Sequence, residues 1–448
     1  MTQNYLTDIT PDNISGILFA LEGIDKVVTL LNGPTGCKYF HSSYSERLYP
    51  RRINPDFMDA GDEWFFNQPR VPCTYLDRKD YVYGSKEKLK EGVAFLKEHT
   101  HMDLLCVVNS PGAALIGDDL AGILEPLTKD IPLVTIQTPG FSGDIFQGHE
   151  KGVIELLRCL EKEGLQKDCP SENRTVNLLG LSIYQYYHEG DLAELKRLLS
   201  LCGIKVHCSL CCGSSLEEIT SLKKAALNIV IRSEYGIQTA DYLEKTLGIP
   251  YYVCDSAPIG FSATSHMIQE ISSLLGADSS PYVEECNKSR ARAYQYLYRL
   301  NSLAGLPQGV SYSLVGAVSE VSGYTDFLTN YLGMAPRSIL LQGKETDKNT
   351  LKTSKKHTDN TALRKLFANL ENCHCENALT TDILEYPGEI VLADGNTIAK
   401  LKLKKHSFTG IENSEPGIGY VHVLPKTHLG LQGALYLLEQ VINGLDFG

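Results

Sequence analysis

Short apolar, often β-branched runs alternate with amphipathic stretches along most of this 448-residue chain, a rhythm that points to parallel α/β sheets. The runs fall at 27–31, 104–108, 133–136, 176–183, 228–231 and 251–253. Between them the spacing predicts helices over 191–202, 216–224, 239–247 and 262–275, each of about three turns and bounded by Gly or Pro. A chain this long exceeds one simple core, so two or three α/β domains are expected. Polar punctuation at 164–174 and a long helical stretch over 284–303, ending before Gly305-Leu306-Pro307, divide it into units 1–170, 171–283 and 284–448. The third unit starts near Val310, carries a charged low-complexity segment at 344–360 read as a solvated insertion, and finishes in a helix over about 431–445. The predicted fold class is therefore α/β, with three Rossmann-like, doubly wound parallel-sheet domains.

Composition narrows the function classes. Hydrophobic residues make up 43% of the chain, yet no run approaches the roughly 18 apolar residues needed to cross a bilayer. The N-terminus carries Asp8 and Asp12 without a basic n-region, which is not the pattern of a signal peptide, and a cytoplasmic location is expected. A net charge of −12 disfavours binding to a phosphate backbone. Thirteen cysteines, an odd number without small-scaffold spacing, argue for reduced thiols and metal ligands over disulfides. No Gly-x-Gly-x-x-Gly stands between a strand and a helix and no Gly-x-x-x-x-Gly-Lys-Ser/Thr occurs, so nucleotide binding and ATP hydrolysis on this chain are not expected.

Two cysteines are placed to do chemistry. Cys37 closes the turn Gly33-Pro34-Thr35-Gly36-Cys37 after the run 27–31, and Cys73 follows Val71-Pro72 ahead of a second loop. Thiols on strand-end loops are held in place by the sheet while staying near solvent or a partner, and thiolate is the usual ligand of iron–sulfur clusters. Packed core thiols are the plainer reading of the same spacing. The stretches Asn32–Cys37, Cys73–Gly84 and Leu115-Ile116-Gly117-Asp118-Asp119 resemble, in that order, the cluster-binding half of nitrogenase component 1 proteins. Residues 180–203, Leu247-Gly248-Ile249-Pro250 and Leu429-Gly430-Leu431-Gln432-Gly433-Ala434 extend the likeness over nearly the whole chain. That superfamily includes nitrogenase subunits, cofactor-scaffold relatives and reductases of protochlorophyllide, chlorophyllide and nickel tetrapyrroles. The resemblance implies an iron–sulfur cluster of the 4Fe-4S type on Cys37 and Cys73, bridging subunits, and electrons delivered by a separate ATP-dependent iron protein.

The departures from the family pattern shape the expectation further. Where such subunits commonly place a third cysteine, this chain reads Asn109-Ser110-Pro111-Gly112-Ala113. Ser110 is either an oxygen ligand or part of a Ser-Pro turn, and Cys106 reads as a core thiol. Two ligands per chain would complete a four-ligand site in a twofold dimer that places the same loops opposite each other, or in a heteromer with a related subunit. The position of the catalytic-cofactor cysteine reads Ile231-Arg232-Ser233-Glu234, and His428 stands one residue out of register with the family's histidine beside Gly430 and Gly433. Dinitrogen reduction is thus not expected. His422 and His428, together with Tyr184, Tyr186, Tyr187 and His188, are candidates to line a substrate pocket, with ordinary packing as the alternative. Cys202, Cys208, Cys211 and Cys212 read chiefly as core thiols, with Cys211 the most exposed of them, and Cys373-His374-Cys375 as a surface loop. The leading expectation is an oxidoreductase subunit acting on an unidentified small-molecule substrate. The alternatives are a scaffold for cofactor assembly and a cluster-free binding or regulatory homologue.

Overall fold

The computed structural model describes residues 11–37, 71–137, 143–165, 170–343, 360–414 and 423–445. Expected features outside them include His422 and the segment 344–359. The alternating runs fold as three parallel sheets, each built from strands consecutive in the chain. The first is β1 (Val27–Asn32), β2 (Leu104–Asn109) and β3 (Leu133–Ile136), in that order. The second takes the order β5-β4-β6-β7 from β4 (Glu172–Leu179), β5 (Lys205–Ser209), β6 (Ala225–Val230) and β7 (Tyr251–Val253). The third takes the order β11-β10-β8-β9 from β8 (Ser311–Gly316), β9 (Ala335–Leu341), β10 (Ile390–Ala393) and β11 (Thr409–Glu412). Every residue of β1 and β2 is buried, which is why they read as unbroken apolar runs and not as alternating ones. Val176 and Ile229 of the second sheet share one continuous core with Tyr312 and Leu314 of the third.

Most predicted helices are present, and their ends differ for identifiable reasons. The helix expected over 239–247 begins at Ser233 and runs to Leu247. Gly236 sits in this helix, where the backbone of Gly180 comes so close that an added Cβ would lie 2.9 Å from the Gly180 nitrogen. The strand expected over 176–183 stops at Leu179 because Gly180 turns the chain at φ 78°. Leu181 and Ile183 are buried beyond it without belonging to the sheet. The stretch 216–224 divides at Ser221 into a short α-helix and a 3-10 turn. The long helix spans Ser280–Ala304, with Pro281 in its first turn. Among the described residues no helix is long and apolar enough to cross a membrane.

The helix Ile145–Glu163 meets the helix Ser233–Leu247 through two adjacent buried ionisable groups. Glu150 accepts hydrogen bonds at 2.9 Å from the backbone nitrogens of Gln238 and Thr239, and His149 packs edge-on against Tyr235. Burial lowers the His149 ring from 6.5 to about 4 and raises the Glu150 carboxyl from 4.5 to about 7. Between about pH 4 and 6.5 the unfolded chain holds more protons at His149 than the folded one, so this group favours folding as pH rises. Between about pH 4.5 and 7 the folded chain holds more protons at Glu150, so that group favours folding as pH falls. Each is worth about 3 kcal/mol over its window, and the two nearly cancel. His149→Gln is accordingly expected to expose the Glu150 effect, with urea-unfolding stability falling from pH 5 to pH 7 more steeply than in the parent chain.

Candidate functional site

The first sheet's C-terminal edge gathers Cys37, Cys73 and Ser110 from three loops. Cys73 follows Pro72, whose carbonyl accepts from the Leu31 nitrogen at 2.8 Å, and Thr74 donates back to the Leu31 carbonyl at 3.1 Å. The segment thereby runs as a parallel bridge beside the end of β1. Cys73 is buried, with Sγ donating to the Gly33 carbonyl at 3.1 Å. Cys37 is half-buried in a helical turn that begins at Thr35. Ser110 follows β2, and its backbone nitrogen donates to the Asn32 carbonyl at 2.8 Å. Gly33 is required between them, since a Cβ there would stand 2.7 Å from the Ser110 Oγ and 3.7 Å from the Cys37 Cβ.

Burial raises the Tyr81 hydroxyl, and Cys37 and Cys73 each push it further in that direction. Burial also pushes the Cys37 thiol up, while a hydrogen bond from the Ser110 side chain acts the other way. Ser110 serves as more than a turn residue: it caps the helix Pro111–Ile116 by accepting from the Ala113 nitrogen at 3.3 Å. Tyr83 is 87% exposed, Val82 73% and Leu115 88%, on the two helices that follow the Cys73 segment and Ser110.

A buried polar network beneath the loops holds them together, and sequence reasoning missed it. Asn32 donates to the Asn109 side chain at 2.8 Å and to Ser85 at 3.1 Å, and it accepts from Thr74 at 2.8 Å. Ser85 in turn donates through its nitrogen and hydroxyl to Asp118 at 2.6 and 2.7 Å. Asparagine at the last position of both β1 and β2 was the available signal, because a polar residue closing two fully buried strands needs a partner. Asn32→Ala strands the Thr74 and Asn109 groups and is expected to destabilise the chain by about 1–3 kcal/mol. Faster hydrogen exchange at residues 72–76 would accompany the loss.

A model of nitrogenase component 1 type oxidoreductases matches residues 13–446. This chain belongs to that family. It is 23% identical over 442 residues to a subunit of the light-independent protochlorophyllide reductase of Heliobacterium modesticaldum, covering 97% of this chain and 78% of the relative. Identity to the same subunit of Methylobacterium radiotolerans is 28% over 219 residues, 48% of this chain and 41% of the relative. For Synechococcus it is 30% over 237 residues, 51% of this chain and 44% of the relative. This chain thus spans less than half the length of the last two. Solved structures of nitrogenase Cp1 at pH 6.5 and pH 5 share the fold, with TM-scores of 0.74 and 0.69 at 15% and 17% identity. Those matches cover 99% of this chain and 94% and 89% of the other chains.

Other candidate positions of this component 1-type chain are closed. Arg232 is buried at the junction of the second and third sheets, where Nε meets Glu320 at 2.8 Å and Nη2 meets Asp191 at 3.0 Å. Asp191 also accepts from the Thr427 hydroxyl at 2.7 Å and the His428 nitrogen at 3.2 Å. The His428 ring bonds Tyr324 at 2.6 Å and Gln440 at 2.7 Å beneath Tyr187, whose ring lies 4.2 Å away. Tyr184, Tyr186, Tyr187 and His188 are all buried. His428 is therefore a packed, hydrogen-bonded residue.

Among the described residues the other cysteines form no metal centre. Cys211, expected to be the most exposed of its group, is 0% exposed. Its turn is pressed under Gly23, where an added Cβ would lie 1.9 Å from the Cys211 carbonyl oxygen, and Gly213 donates to Gly23 at 2.8 Å. Burial pushes Cys212 up to about 12, which keeps it a thiol. Cys106 is a core thiol, and Cys373 and Cys375 donate to backbone carbonyls at 3.4 and 3.3 Å. No group of three or more His, Cys, Asp and Glu side chains among the described residues could hold a metal ion.

Proposed function

We propose that this chain is an oxidoreductase subunit in which Cys37 and Cys73 hold an iron–sulfur cluster of the 4Fe-4S type between two subunits. The convergence of the Cys73 segment on the end of β1, where its sulfur reaches the Gly33 and Pro34 carbonyls of the turn that carries Cys37, is the observation that carries the reading. Soft thiolate donors fit iron and inorganic sulfide, and two per chain leave half of a four-ligand site to a facing copy or a related subunit. Tyr83, Val82 and Leu115 supply the apolar rim such a contact would cover. When bound, the cluster supplies one-electron storage. The chain contributes thiolates on loops held by the Asn32 network and a low-water setting around buried Cys73. Electrons would come from an ATP-dependent iron protein, since this chain carries no phosphate-binding loop of its own.

For the substrate, an unsaturated organic molecule of tetrapyrrole type is favoured. Several relatives are named as protochlorophyllide reductase subunits, and the Arg232 junction offers ion-paired groups where a metallocofactor would need a free ligand. That closed junction also favours a second reading, in which this chain completes a partner's site without carrying out turnover itself. Anaerobic purification tests the central claim by iron and sulfide analysis with native mass. Roughly four irons per pair of subunits is expected. Colourless, iron-free monomer would overturn it. Substrate reduction by the isolated protein with a reductase and MgATP, against reduction only with a further subunit added, separates the two readings.

A further inference from the structure

We propose that Asp118 is a positioning residue for the cysteine edge: its carboxylate sets the direction of a series of hydrogen bonds that runs through Ser85, Asn32 and Thr74 into the turn carrying Cys37. The inference rests on the reading of Cys37 and Cys73 as cluster ligands, and it gives Asp118 and its neighbour Asp119 different tasks.

An ionised carboxylate accepts and never donates, so it fixes the direction of every bond behind it. Asp118 Oδ2 accepts from the Ser85 nitrogen at 2.6 Å and from the Ser85 hydroxyl at 2.7 Å. With its one hydroxyl proton engaged there, the Ser85 oxygen is left to accept from the Asn32 Nδ2, 3.1 Å away. The same nitrogen donates to the Asn109 side chain at 2.8 Å, which turns the Asn32 Oδ1 toward Thr74. Thr74 gives its hydroxyl proton to that oxygen at 2.8 Å and receives the Gly33 nitrogen at 3.1 Å. Gly33 opens the turn that ends at Cys37, and Thr74 directly follows Cys73. Each proton in the series thus points back toward Asp118. Without an acceptor at position 118, the Ser85 proton turns toward Asn32. The Asn32 amide then has to turn over to receive it, which sets oxygen against oxygen at Asn109 and takes from Thr74 the acceptor of its proton.

The surrounding backbone is shaped for the carboxylate. Gly84 holds φ at 100°, and a Cβ there would stand 3.2 Å from the Asp118 Oδ1. Ser85 stands at the N-cap of the helix Lys86–His99 yet makes no side-chain cap bond, because its hydroxyl serves Asp118 and Asn32 instead. The start of that helix also favours a negative charge beside it. Asp119 does the ordinary work of a cap, accepting from the Gly122 nitrogen at 3.1 Å at the start of the helix Leu120–Leu124. The Cys73 segment keeps its backbone bonds to Leu31 whichever way the side chains point, so a reversed series displaces the cysteine turns without unfolding the sheet. Ligand positions and the groups bonded around them tune whatever the thiolates hold.

The test uses the full chain purified anaerobically as Asp118→Ala, Asp118→Asn, Asp119→Ala and the double variant Ser85→Ala/Asp118→Ala. Asparagine retains an oxygen that accepts from Ser85, alanine has none, and Asp119→Ala removes a helix cap from the same loop. Hydrogen exchange at residues 31–37 and 72–76 should rise several-fold in Asp118→Ala and stay parental in Asp118→Asn and Asp119→Ala. The double variant should fall back toward the parent, since it also deletes the misdirected Ser85 proton, whereas a merely structural contact would make the two losses add. In iron-loaded protein the midpoint potential and the electron paramagnetic resonance spectrum should change in Asp118→Ala and return toward the parent in Asp118→Asn. Exchange that rises around residues 84–90 and 116–120 but not at the cysteine turns would overturn the proposal, as would equal effects of alanine and asparagine. If Asp118→Ala fails to fold, a folded double variant with near-parental exchange supports the proposal and an unfolded one refutes it. Iron-free parent protein would sink the cluster reading alone, and exchange in the metal-free chain would still decide the role of Asp118.

Discussion

Replacing Arg232 by methionine is expected to destabilise the folded chain by about 3–5 kcal/mol, measured as the shift in urea unfolding. The guanidinium is buried and bonded to two carboxylates, Asp191 at 3.0 Å and Glu320 at 2.8 Å, on helices that follow strands of the second and third sheets. Methionine fills much of the same volume but leaves both carboxylates in a low-dielectric interior without a cation. Burial already raises the Glu320 carboxyl, with Arg232 acting against that rise. In the variant Glu320 would hold its proton to higher pH than in the unfolded chain, so the deficit should grow as pH rises from acid to neutral. Adding Glu320→Gln to Arg232→Met should recover part of the loss, since it removes one of the stranded charges. A variant as stable as the parent at neutral pH would show that the ion pairs are dispensable to the junction.

Changing both Cys37 and Cys73 to alanine is expected to remove essentially all bound iron and sulfide while leaving the fold intact. Neither thiol is needed by the core in the way Arg232 is. Cys37 is half-buried, and the Cys73 sulfur donates to the Gly33 carbonyl at 3.1 Å, so loss of the pair should cost only ~1 kcal/mol. Each single variant should also lose most of the iron, because one remaining thiolate per chain supplies half of what the pair supplies. Native mass should fall to the monomer if the cluster ties two subunits together, and stay dimeric if the apolar rim of Tyr83, Val82 and Leu115 is sufficient. Unchanged iron in the double variant would move the metal to another site altogether.

Much of the architecture is legible because it is local. The runs that form β1 and β2 are buried on both faces, and parallel strands in that situation advertise themselves as apolar segments. Helix ends are less legible where a distant backbone makes a residue behave against its type, as Gly180 does for Gly236. Of the site, both cysteines are readable from their loops, whereas the sequence around Ser110 fits a turn first and an oxygen ligand second. Its surroundings include a helix cap, a phenol and a thiol contributed by separate segments of the chain. Cys211 reads as exposed because a loop cysteine after a strand looks open until the segment around Gly23 closes over it.

The sequence by itself determined the parallel α/β plan, the positions of six strands in the first two sheets and the two thiols at a strand-end edge, because periodicity and turn chemistry act between residues a few positions apart. Only the tertiary structure decided that Asn32 meets Asn109 across 77 residues and that Arg232 locks to Glu320 across 88. Buried polar groups take whichever partner the packed chain brings within about 3 Å, and that choice depends on how sheets stack and loops cross, which no local pattern encodes.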